Sequence, residues 1–270
     1  MRVALCQANC GEDVAANEAQ VLGLLESAAA EDVDLAALPE VWPCQGSAEQ
    51  VRAAAEPLDG ARVARLAEIA RRHRMWVHGG SVLELDGERI YNTSVLFDRD
   101  GELVATYRKI HLFDADPPGG LPSRESFLYS AGERVVTADT EFGRAGLSIC
   151  YDVRFPELYR QLAVQGATLL FVPAAFRHET GKDHWDVLVR ARAIEDQAFV
   201  IAAAQWGTWG PEGRERHNHG NSLVVDPWGR VLARAPDGVG VTVADLDPAE
   251  VGRVRDALPA LRHRRLNPSC

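Results

Sequence analysis

One cysteine of this 270-residue chain stands where a strand pattern gives way to a helix pattern, in the segment GRAGLSICYDVRFPELYR. Ala145, Leu147 and Ile149 alternate as a buried strand face does, and Pro156 suits the first turn of a helix. The sulfur of Cys150 is therefore expected at the carboxyl end of a strand, beside spare backbone N–H groups and the positive end of a helix dipole. Those features lower a thiol pKa and stabilise an oxyanion. The sequence predicts that Cys150 attacks a carbonyl carbon.

Polar residues interrupt two other apolar stretches, and both could assist a thiol that needs a base and a group to hold the oxyanion. Glu40 closes the apolar run 35–39, where a carboxylate suits a general base. Lys109 interrupts the run 107–112, where a buried ammonium requires a carboxylate partner or a functional role. Position alone is as compatible with a surface or helix-cap Glu40 and a solvated Lys109, and Glu125 alone is typical of an exposed loop acid.

The composition excludes several classes of protein. Apolar residues make up 46% and charged residues 25% of the chain, and a formal net charge of −10 argues against a nucleic-acid or anionic-membrane surface. No apolar run approaches the roughly 20 residues that span a bilayer, and the amino terminus reads directly into a strand rather than a secretory signal. We therefore expect a cytoplasmic protein.

The five cysteines are scattered and include no C-x-x-C pair, so neither a zinc ribbon nor a redox pair is indicated. In a reducing compartment, Cys6, Cys10 and Cys44 are expected to be small buried residues. Cys270, at the end of the chain, is expected to be exposed.

Strand and helix patterns alternate with several hairpins, which disfavours a purely parallel sheet and favours two face-to-face sheets with helices outside. No linker is evident, so residues 1–270 are expected to form a single α/β domain. The expected helices are 14–30, 61–74, 156–165, 184–196 and 248–257. The expected strands are 2–8, 35–39, 76–85, 91–97, 102–111, 134–137, a strand ending at Cys150, 169–173, 199–205, a hairpin over 223–233, and 241–245. Two long loops, 113–130 and 206–219, are expected to be functional or mobile.

Five ordered motifs together resemble the carbon–nitrogen hydrolase (nitrilase) superfamily. They are LPE at 38–40, YRKIHLF at 107–113, CYDVRFPELYR at 150–160, HWDVLVRARAIEDQAFVIAAAQ at 184–205 and HGNSLVVDPWGRVLAR at 219–234. The resemblance covers essentially the whole chain. It implies a four-layer α-β-β-α sandwich, association into homodimers or larger assemblies through the outer helices, and catalysis without a metal or organic cofactor.

The resemblance also implies roles for individual residues. Cys150 corresponds to the nucleophile and Glu40 to the general base. Lys109 corresponds to the cation that holds the oxyanion, together with the backbone N–H of Tyr151. Glu125 matches a second acidic residue that positions Lys109 or the substrate. The alternative for Cys150 is an inert buried thiol.

The sequence CYDVRFPEL, followed by GKDHW at 181–185, is most similar to the omega-amidase and deaminated-glutathione amidase branches. The resemblance implies hydrolysis of the terminal amide of a small dicarboxylic or α-keto acid monoamide through a thioester. Arg154 could hold the substrate carboxylate bidentately, with Thr180 near the same group. A structural ion pair with Glu157 explains Arg154 equally well. GKDHW departs from the GPAHW frequent in the family, and the loop 206–217 is rich in Trp and charge, so the acyl-chain specificity stays open.

The alternatives are another C–N hydrolase of the superfamily (an N-carbamoyl amidohydrolase, an aliphatic amidase or a nitrilase) and a catalytically silent scaffold of the same fold. Nitrile-cleaving members tend to have Trp-Glu after the nucleophile, where this chain has Tyr151-Asp152. His217 and His219 alone are weak evidence for a metal site. The segment Gly146–Cys150 fails the G-x-S-x-G pattern of serine hydrolases. The expected partner is a small-molecule amide, with neither nucleic acid nor membrane.

Overall fold

The computed structural model describes residues 1–266, so the prediction for Cys270 lies outside the described residues. The strands are β1 (Arg2–Gln7), β2 (Leu35–Ala37), β3 (Trp76–Asp86), β4 (Arg89–Phe97), β5 (Leu103–Arg108), β6 (Asp114–Ala115), β7 (Ser123–Arg124), β8 (Thr137–Thr140), β9 (Gly143–Leu147), β10 (Leu169–Phe171), β11 (Phe199–Ala202), β12 (Trp206–Trp209), β13 (Arg216–His219), β14 (Leu223–Val225), β15 (Val231–Arg234) and β16 (Gly240–Asp245). The α-helices are α1 (Val14–Ala30), α2 (Ala48–Ala54), α3 (Ala61–His73), α4 (Pro156–Val164), α5 (His178–Asp196) and α6 (Ala249–Ala257), and 3₁₀ helices cover Glu125–Phe127 and Cys150–Arg154.

Two six-stranded sheets form the centre of the molecule. The first has the order β16-β1-β2-β3-β4-β5 and the second the order β15-β14-β11-β10-β9-β8. Each has parallel pairs in the middle and antiparallel pairs towards its edges. Because the parallel middle strands run in one direction, their carboxyl ends lie together, and both Glu40 and Cys150 follow such ends.

Apolar side chains that alternate between the two faces of each strand explain how the sheets and helices pack in layers. In β1, Val3 and Leu5 belong to the hydrophobic cluster that also contains the second sheet, whereas Ala4 and Cys6 belong to the cluster that contains α1 and α3. A strand directs successive side chains to opposite faces, so the first sheet packs on the second through one face and on helices through the other. The apolar residues of α4 and α5 join the second sheet. The result is the expected α-β-β-α sandwich.

The regular elements agree with the sequence prediction more closely than the irregular ones. Helix α5 begins at His178 rather than at 184, since its start carries neither a side-chain cap nor an uninterrupted apolar periodicity to mark it. The strand expected at 134–137 lies at Thr137–Thr140 because its extent is set by pairing with β9. The short helix α2 was not predicted. Both long loops contain small two-stranded sheets, β6-β7 and β12-β13.

None of the helices within residues 1–266 combines the length and the apolar character needed to cross a bilayer.

Candidate active site

Cys150 occupies a tight turn three residues beyond the end of β9. Its backbone has a φ of 47°, in the left-handed region that non-glycine residues rarely adopt, and its N–H donates to the Pro173 carbonyl at 2.9 Å. A separate 3₁₀ helix opens at Cys150, and α4 starts only at Pro156, in the first helical turn as predicted. The cysteine therefore lies one short helix away from the dipole of α4.

The buried Asp152 fixes this turn. One carboxylate oxygen, Oδ2, accepts from the Tyr107 hydroxyl at 2.7 Å and from the Ile149 N–H at 2.8 Å. The other, Oδ1, accepts from the backbone N–H of His111 at 3.1 Å and lies 2.7 Å from its ring Nδ1. Sequence reasoning did not assign Asp152 a role, although an acid within an apolar stretch was a usable signal.

Glu40 lies beyond the end of β2 and is 2% exposed. Its Oε1 accepts from Asn92 Nδ2 at 2.9 Å and from Lys109 Nζ at 2.8 Å. Its Oε2 accepts from the Ala175 N–H at 2.7 Å. The surface and helix-cap interpretations of Glu40 are therefore wrong. Asn92, which the sequence analysis missed, is a polar residue in the middle of β4 and directs one oxygen of this carboxylate.

Lys109 follows the end of β5 and is 1% exposed, so it is not a solvated strand end. Its ammonium lies between Glu40 and Glu125, with the Glu125 Oε2 at 2.9 Å. Glu125 comes from the 3₁₀ helix of the 113–130 segment, and its Oε2 also accepts from the Phe113 N–H at 2.8 Å. The three charged side chains predicted from separate motifs therefore form one buried network.

This network shifts two pKa values. Burial acts to lower the pKa of Lys109, but the charges of Glu125 and Glu40 outweigh it and hold the pKa well above its usual value. Burial raises the pKa of Glu125, and the charge of Glu40 adds to the rise against the opposing charge of Lys109. Lys109 is therefore a permanent cation at neutral pH.

The pKa of Cys150 differs from the prediction. Burial and the adjacent Glu40 raise it well above the usual value, although Lys109 acts in the opposite direction. The expected lowering by a helix dipole is wrong, because the thiol is 8% exposed and faces a carboxylate. The resting thiol is neutral, so its attack on a substrate requires a base in contact with it.

A cavity of about 270 Å³ opens onto Glu40, Glu125 and Cys150. Lys109 is not among its lining residues. The cavity is also lined by residues of the 3₁₀ helix at Cys150–Arg154, of the start of α5 and the segment before it, and of β12-β13. They are Tyr151, Arg154, Phe176, Arg177, Thr180, Trp209 and Arg216. Of these, the sequence analysis had placed Tyr151, Arg154 and Thr180 at the site.

Tyr151, the predicted oxyanion donor, and Arg154 and Thr180, the predicted carboxylate ligands, differ in their hydrogen-bond partners. The N–H of Tyr151 donates to no other group within residues 1–266, whereas its neighbours Cys150 and Asp152 donate to backbone carbonyls. Arg154 Nη1 lies 3.2 Å from His184 Nδ1, and its guanidinium packs 5.0 Å from the centre of the Phe176 ring. An ion pair with Glu157 does not form. Thr180 Oγ1 lies 3.4 Å from the Arg177 carbonyl, which it approaches as a donor.

His217 and His219 lie in β13, next to His178. In the part of the chain that the structure describes, no group of three or more His, Cys, Asp or Glu side chains could hold a metal ion.

The chain is similar to a protein-family model and to several named proteins. A protein-family model described as carbon–nitrogen hydrolase matches residues 2–256. A protein named deaminated glutathione amidase from Synechocystis sp. is 42% identical over 246 residues, which cover 89% of this chain and 89% of that protein. The Homo sapiens protein named omega-amidase NIT2 is 36% identical over 267 residues, covering 98% of this chain and 95% of that protein.

The fold comparison agrees. The crystal structure of Saccharomyces cerevisiae Nit3, described as a member of branch 10 of the nitrilase superfamily, superposes with a TM-score of 0.87 at 35% identity, covering 98% of this chain and 97% of that chain. The sandwich, the matched residues and these relatives lead to one conclusion: the chain belongs to the carbon–nitrogen hydrolase family of the nitrilase superfamily.

Proposed function

We propose that this protein is a cysteine-dependent amidase. Its substrate is a small carboxylated monoamide, derived from a dicarboxylic or α-keto acid, and its products are the free acid and ammonia. The observation that carries the proposal is the convergence of Glu40, Glu125 and Cys150 at one cavity, with Lys109 paired to both carboxylates behind its wall. The same cavity is lined by Arg154, which has no carboxylate partner within residues 1–266. Relatives named deaminated glutathione amidase and omega-amidase support the same substrate class.

The first half-reaction uses the neutral thiol. Glu40 takes the proton of Cys150 as sulfur bonds to the amide carbon, and the carbonyl π electrons move to oxygen. The N–H of Tyr151 and the positive charge of Lys109 stabilise that oxyanion. The adduct then collapses, the C–N bond breaks, and the proton held by Glu40 moves to the leaving nitrogen. Ammonia departs and a thioester remains.

The second half-reaction consumes water. Glu40, now deprotonated, removes a proton from a water molecule that attacks the thioester carbon. The oxyanion forms at the same position and collapses with cleavage of the C–S bond, and Glu40 returns the proton to sulfur. The acid leaves and the neutral Cys150 is restored. Glu125 acts as a positioning residue, because it holds the Lys109 ammonium from the side opposite Glu40.

Arg154 and Thr180 are the proposed ligands of the substrate carboxylate. Arg154 follows the nucleophile by four residues and lines the same cavity. A guanidinium that has no carboxylate partner within residues 1–266 is free to form two parallel hydrogen bonds with a substrate carboxylate. Arg154→Ala should therefore raise the KM of carboxylated amides more than that of neutral amides.

The test is hydrolysis of a panel of α-ketoglutaramate, succinamate, deaminated glutathione, a neutral aliphatic amide, a nitrile and an N-carbamoyl acid, followed as ammonia release except for deaminated glutathione, where it is followed as cysteinylglycine release. Cys150→Ala is the control, because it removes the sulfur and leaves the fold. Turnover of the carboxylated amides that disappears in Cys150→Ala would support the proposal. Activity confined to the nitrile, the carbamoyl compound or the neutral amide would assign another reaction of the superfamily. Inactivity on all six would indicate a silent scaffold.

We further propose a single catalytic domain over 1–270, a cytoplasmic location and a homodimer or larger assembly. The free cysteines Cys6, Cys10, Cys44 and Cys150 suit a reducing compartment. Exposed apolar side chains at Val187 and Ile194, seven residues apart on α5, suit association through this outer helix. Sedimentation of the purified protein tests the assembly.

A further inference from the structure

The cavity contains cations beyond the one assigned to the substrate carboxylate. Arg177 precedes α5 and Arg216 opens β13, and both line the cavity together with Trp209 of β12. The guanidinium carbon of Arg177 lies 5.4 Å from the centre of the Trp209 ring, and that of Arg216 lies 5.2 Å from it. One indole therefore holds two guanidinium groups at the same wall of the cavity.

Neither guanidinium is neutralised by an ion pair in the part of the chain that the structure describes. Within residues 1–266, no carboxylate forms an ion pair with Arg177 or Arg216, whereas Arg124, which lines the same cavity, is paired with Asp116 at 2.7 Å. The charges of Glu179 and Glu125 act on Arg177 from beyond ion-pair distance, and the Glu179 side chain packs against Gly120 of the neighbouring loop.

The electrostatics agree with this geometry. Burial, together with the charge of Arg216, lowers the pKa of Arg177 to about 10, and burial with the charge of Arg214 lowers that of Arg216. Both groups remain cations at neutral pH, and they repel each other. Two half-buried like charges without a counterion form an unfavourable arrangement in the free protein, which an anion bound between them would relieve.

This pair belongs to other elements of the fold than the proposed carboxylate ligand near the nucleophile. Arg154 packs on Phe176, in the turn region that follows Cys150. Arg177 and Arg216 stand at the β12-β13 hairpin, where Trp209 and Arg216 are directly paired across the two strands. A substrate that reached both places would carry one anionic group on its acyl portion and another at its far end, on the leaving amine.

We propose that Arg177, Arg216 and Trp209 form a second anion subsite, which binds a distal carboxylate of the amide substrate. This inference rests on the proposed amidase function and extends it from monoamides with one carboxylate to amides that carry a second carboxylate on the leaving amine. Arginine suits the role because its planar group binds carboxylate oxygens bidentately, and the indole face keeps both planes in place.

The experiment compares two substrates of the wild-type enzyme. One is an amide with a carboxylate on its acyl portion and a second carboxylate on its leaving amine, for which deaminated glutathione serves. The other is the same molecule with the distal carboxylate converted to its methyl ester. Succinamate, which is too short to have a distal group, is the reference substrate. Wild-type turnover of succinamate tests the proposed function independently of the subsite.

Arg177→Gln and Arg216→Gln are each expected to raise the KM of the distal diacid by about 10- to 100-fold, to leave kcat within a few-fold, and to leave the ester and succinamate unchanged. Arg177→Lys should recover part of the loss, because it restores the charge without the fork. Arg124→Gln is the matched control, since it removes a cavity arginine that is already paired.

Two outcomes would overturn the subsite. One is an unchanged KM for the diacid in both Gln variants. The other is an equal rise for diacid, ester and succinamate, which would mean that the residues support the cavity rather than bind a distal carboxylate. If wild type hydrolyses none of the three, the amidase proposal itself fails, and that result is separate from either outcome above.

Discussion

At the scale of single residues, Lys109 is the least replaceable charge of the site. The chain contains only two lysines, Lys109 and Lys182, and the remaining 27 of its 29 basic residues are arginines. An ammonium is a compact point charge with three donors, whereas a guanidinium is a wide planar fork. The narrow space between Glu40 and Glu125 fits the former, which gives a physical reason for a lysine in a chain that otherwise uses arginine.

Lys109→Met is expected to destabilise the protein by about 3–5 kcal/mol, because it leaves two buried carboxylates without their cation. The double variant Lys109→Met/Glu125→Gln removes one of those charges and should recover a large part of the stability, while both variants remain inactive on the amide panel. Urea unfolding followed by circular dichroism measures the free energy of unfolding. Equal destabilisation in the single and double variants would contradict the buried charge network.

Glu40, Lys109 and Cys150 stood out in the sequence because each interrupts or ends an apolar run, but position alone left Glu40 and Lys109 ambiguous, and the resemblance to the nitrilase superfamily assigned their roles. Their roles remain predictions until the variants are measured. The thiol pKa was predicted with the wrong sign, because the burial of Cys150 and its contact with Glu40 are tertiary facts that no local pattern contains. Arg177 and Arg216 were missed for a similar reason, since arginine in a loop is ordinary until the fold brings two of them to one indole.

At the scale of elements, a glycine in β3 determines where Glu40 stands. Gly80 has a φ of +62° at a bulge between His78 and Ser81, and a Cβ at this position would lie 2.0 Å from the Pro39 carbonyl oxygen. The backbone of β3 therefore packs directly on the segment that leads into Glu40. Only a residue without a side chain permits that approach.

Gly80→Ala is expected to lower the free energy of unfolding by more than about 2 kcal/mol and to reduce kcat at least tenfold, because the clash displaces Glu40. Gly87→Ala is the matched control. Gly87 has nearly the same φ, +61°, but a Cβ there would meet nothing within 4 Å. It should cost about 1–2 kcal/mol with no change in kcat. Identical effects of the two variants on kcat would show that backbone strain alone, and not the contact with Pro39, is responsible.

The boundaries of helices and strands were predicted accurately where local sequence signals mark them and inaccurately where they do not. Helix α1, with its Asp13 cap and regular buried positions, was predicted at its observed limits, 14–30. The start of α5 and the position of β8 were displaced, and α2 was absent from the prediction. The limits of β8 are set by contacts with its partner strand, and those of the hairpins β6-β7 and β12-β13 by contacts at the cavity wall. Local sequence signals are therefore weak in these segments.

At the scale of the whole molecule, one buried carboxyl group is expected to make the protein less stable as the pH rises, which is the opposite of what an acid with a lowered native pKa does. Asp196, at the end of α5, is 1% exposed, and its carboxylate lies 3.2 Å from Arg160. Burial, with the charge of Glu195, raises its pKa from 3.8 to about 6 against the opposing charges of Arg160 and Arg192. Between these two pH values the native state binds more protons than the unfolded state, so stability falls as the pH rises.

Asp196→Asn imitates the protonated side chain and is therefore expected to be more stable than wild type by roughly 1–3 kcal/mol above pH 7, with the difference disappearing near pH 4. Thermal unfolding at pH 4, 6 and 8 measures this trend. Asp256→Asn, which alters an 83% exposed side chain paired with Arg262 at 3.6 Å, is the control and should show no such trend. A variant that is less stable than wild type at pH 8 would show that the Arg160 ion pair outweighs the cost of burying the charge.

The protonated thiols have a consequence for oxidative chemistry. Burial raises the pKa of Cys6 and Cys10 to about 12, and those of Cys44 and Cys150 are raised as well, so no cysteine among residues 1–266 rests as a thiolate at neutral pH. Peroxide attacks thiolates, and sulfenic acid formation follows thiolate character and exposure. In the proposed mechanism Cys150 loses its proton only as it attacks a substrate, so we expect it to be largely spared oxidation between turnovers. The enzyme should therefore outlast in peroxide those whose active cysteine is permanently charged.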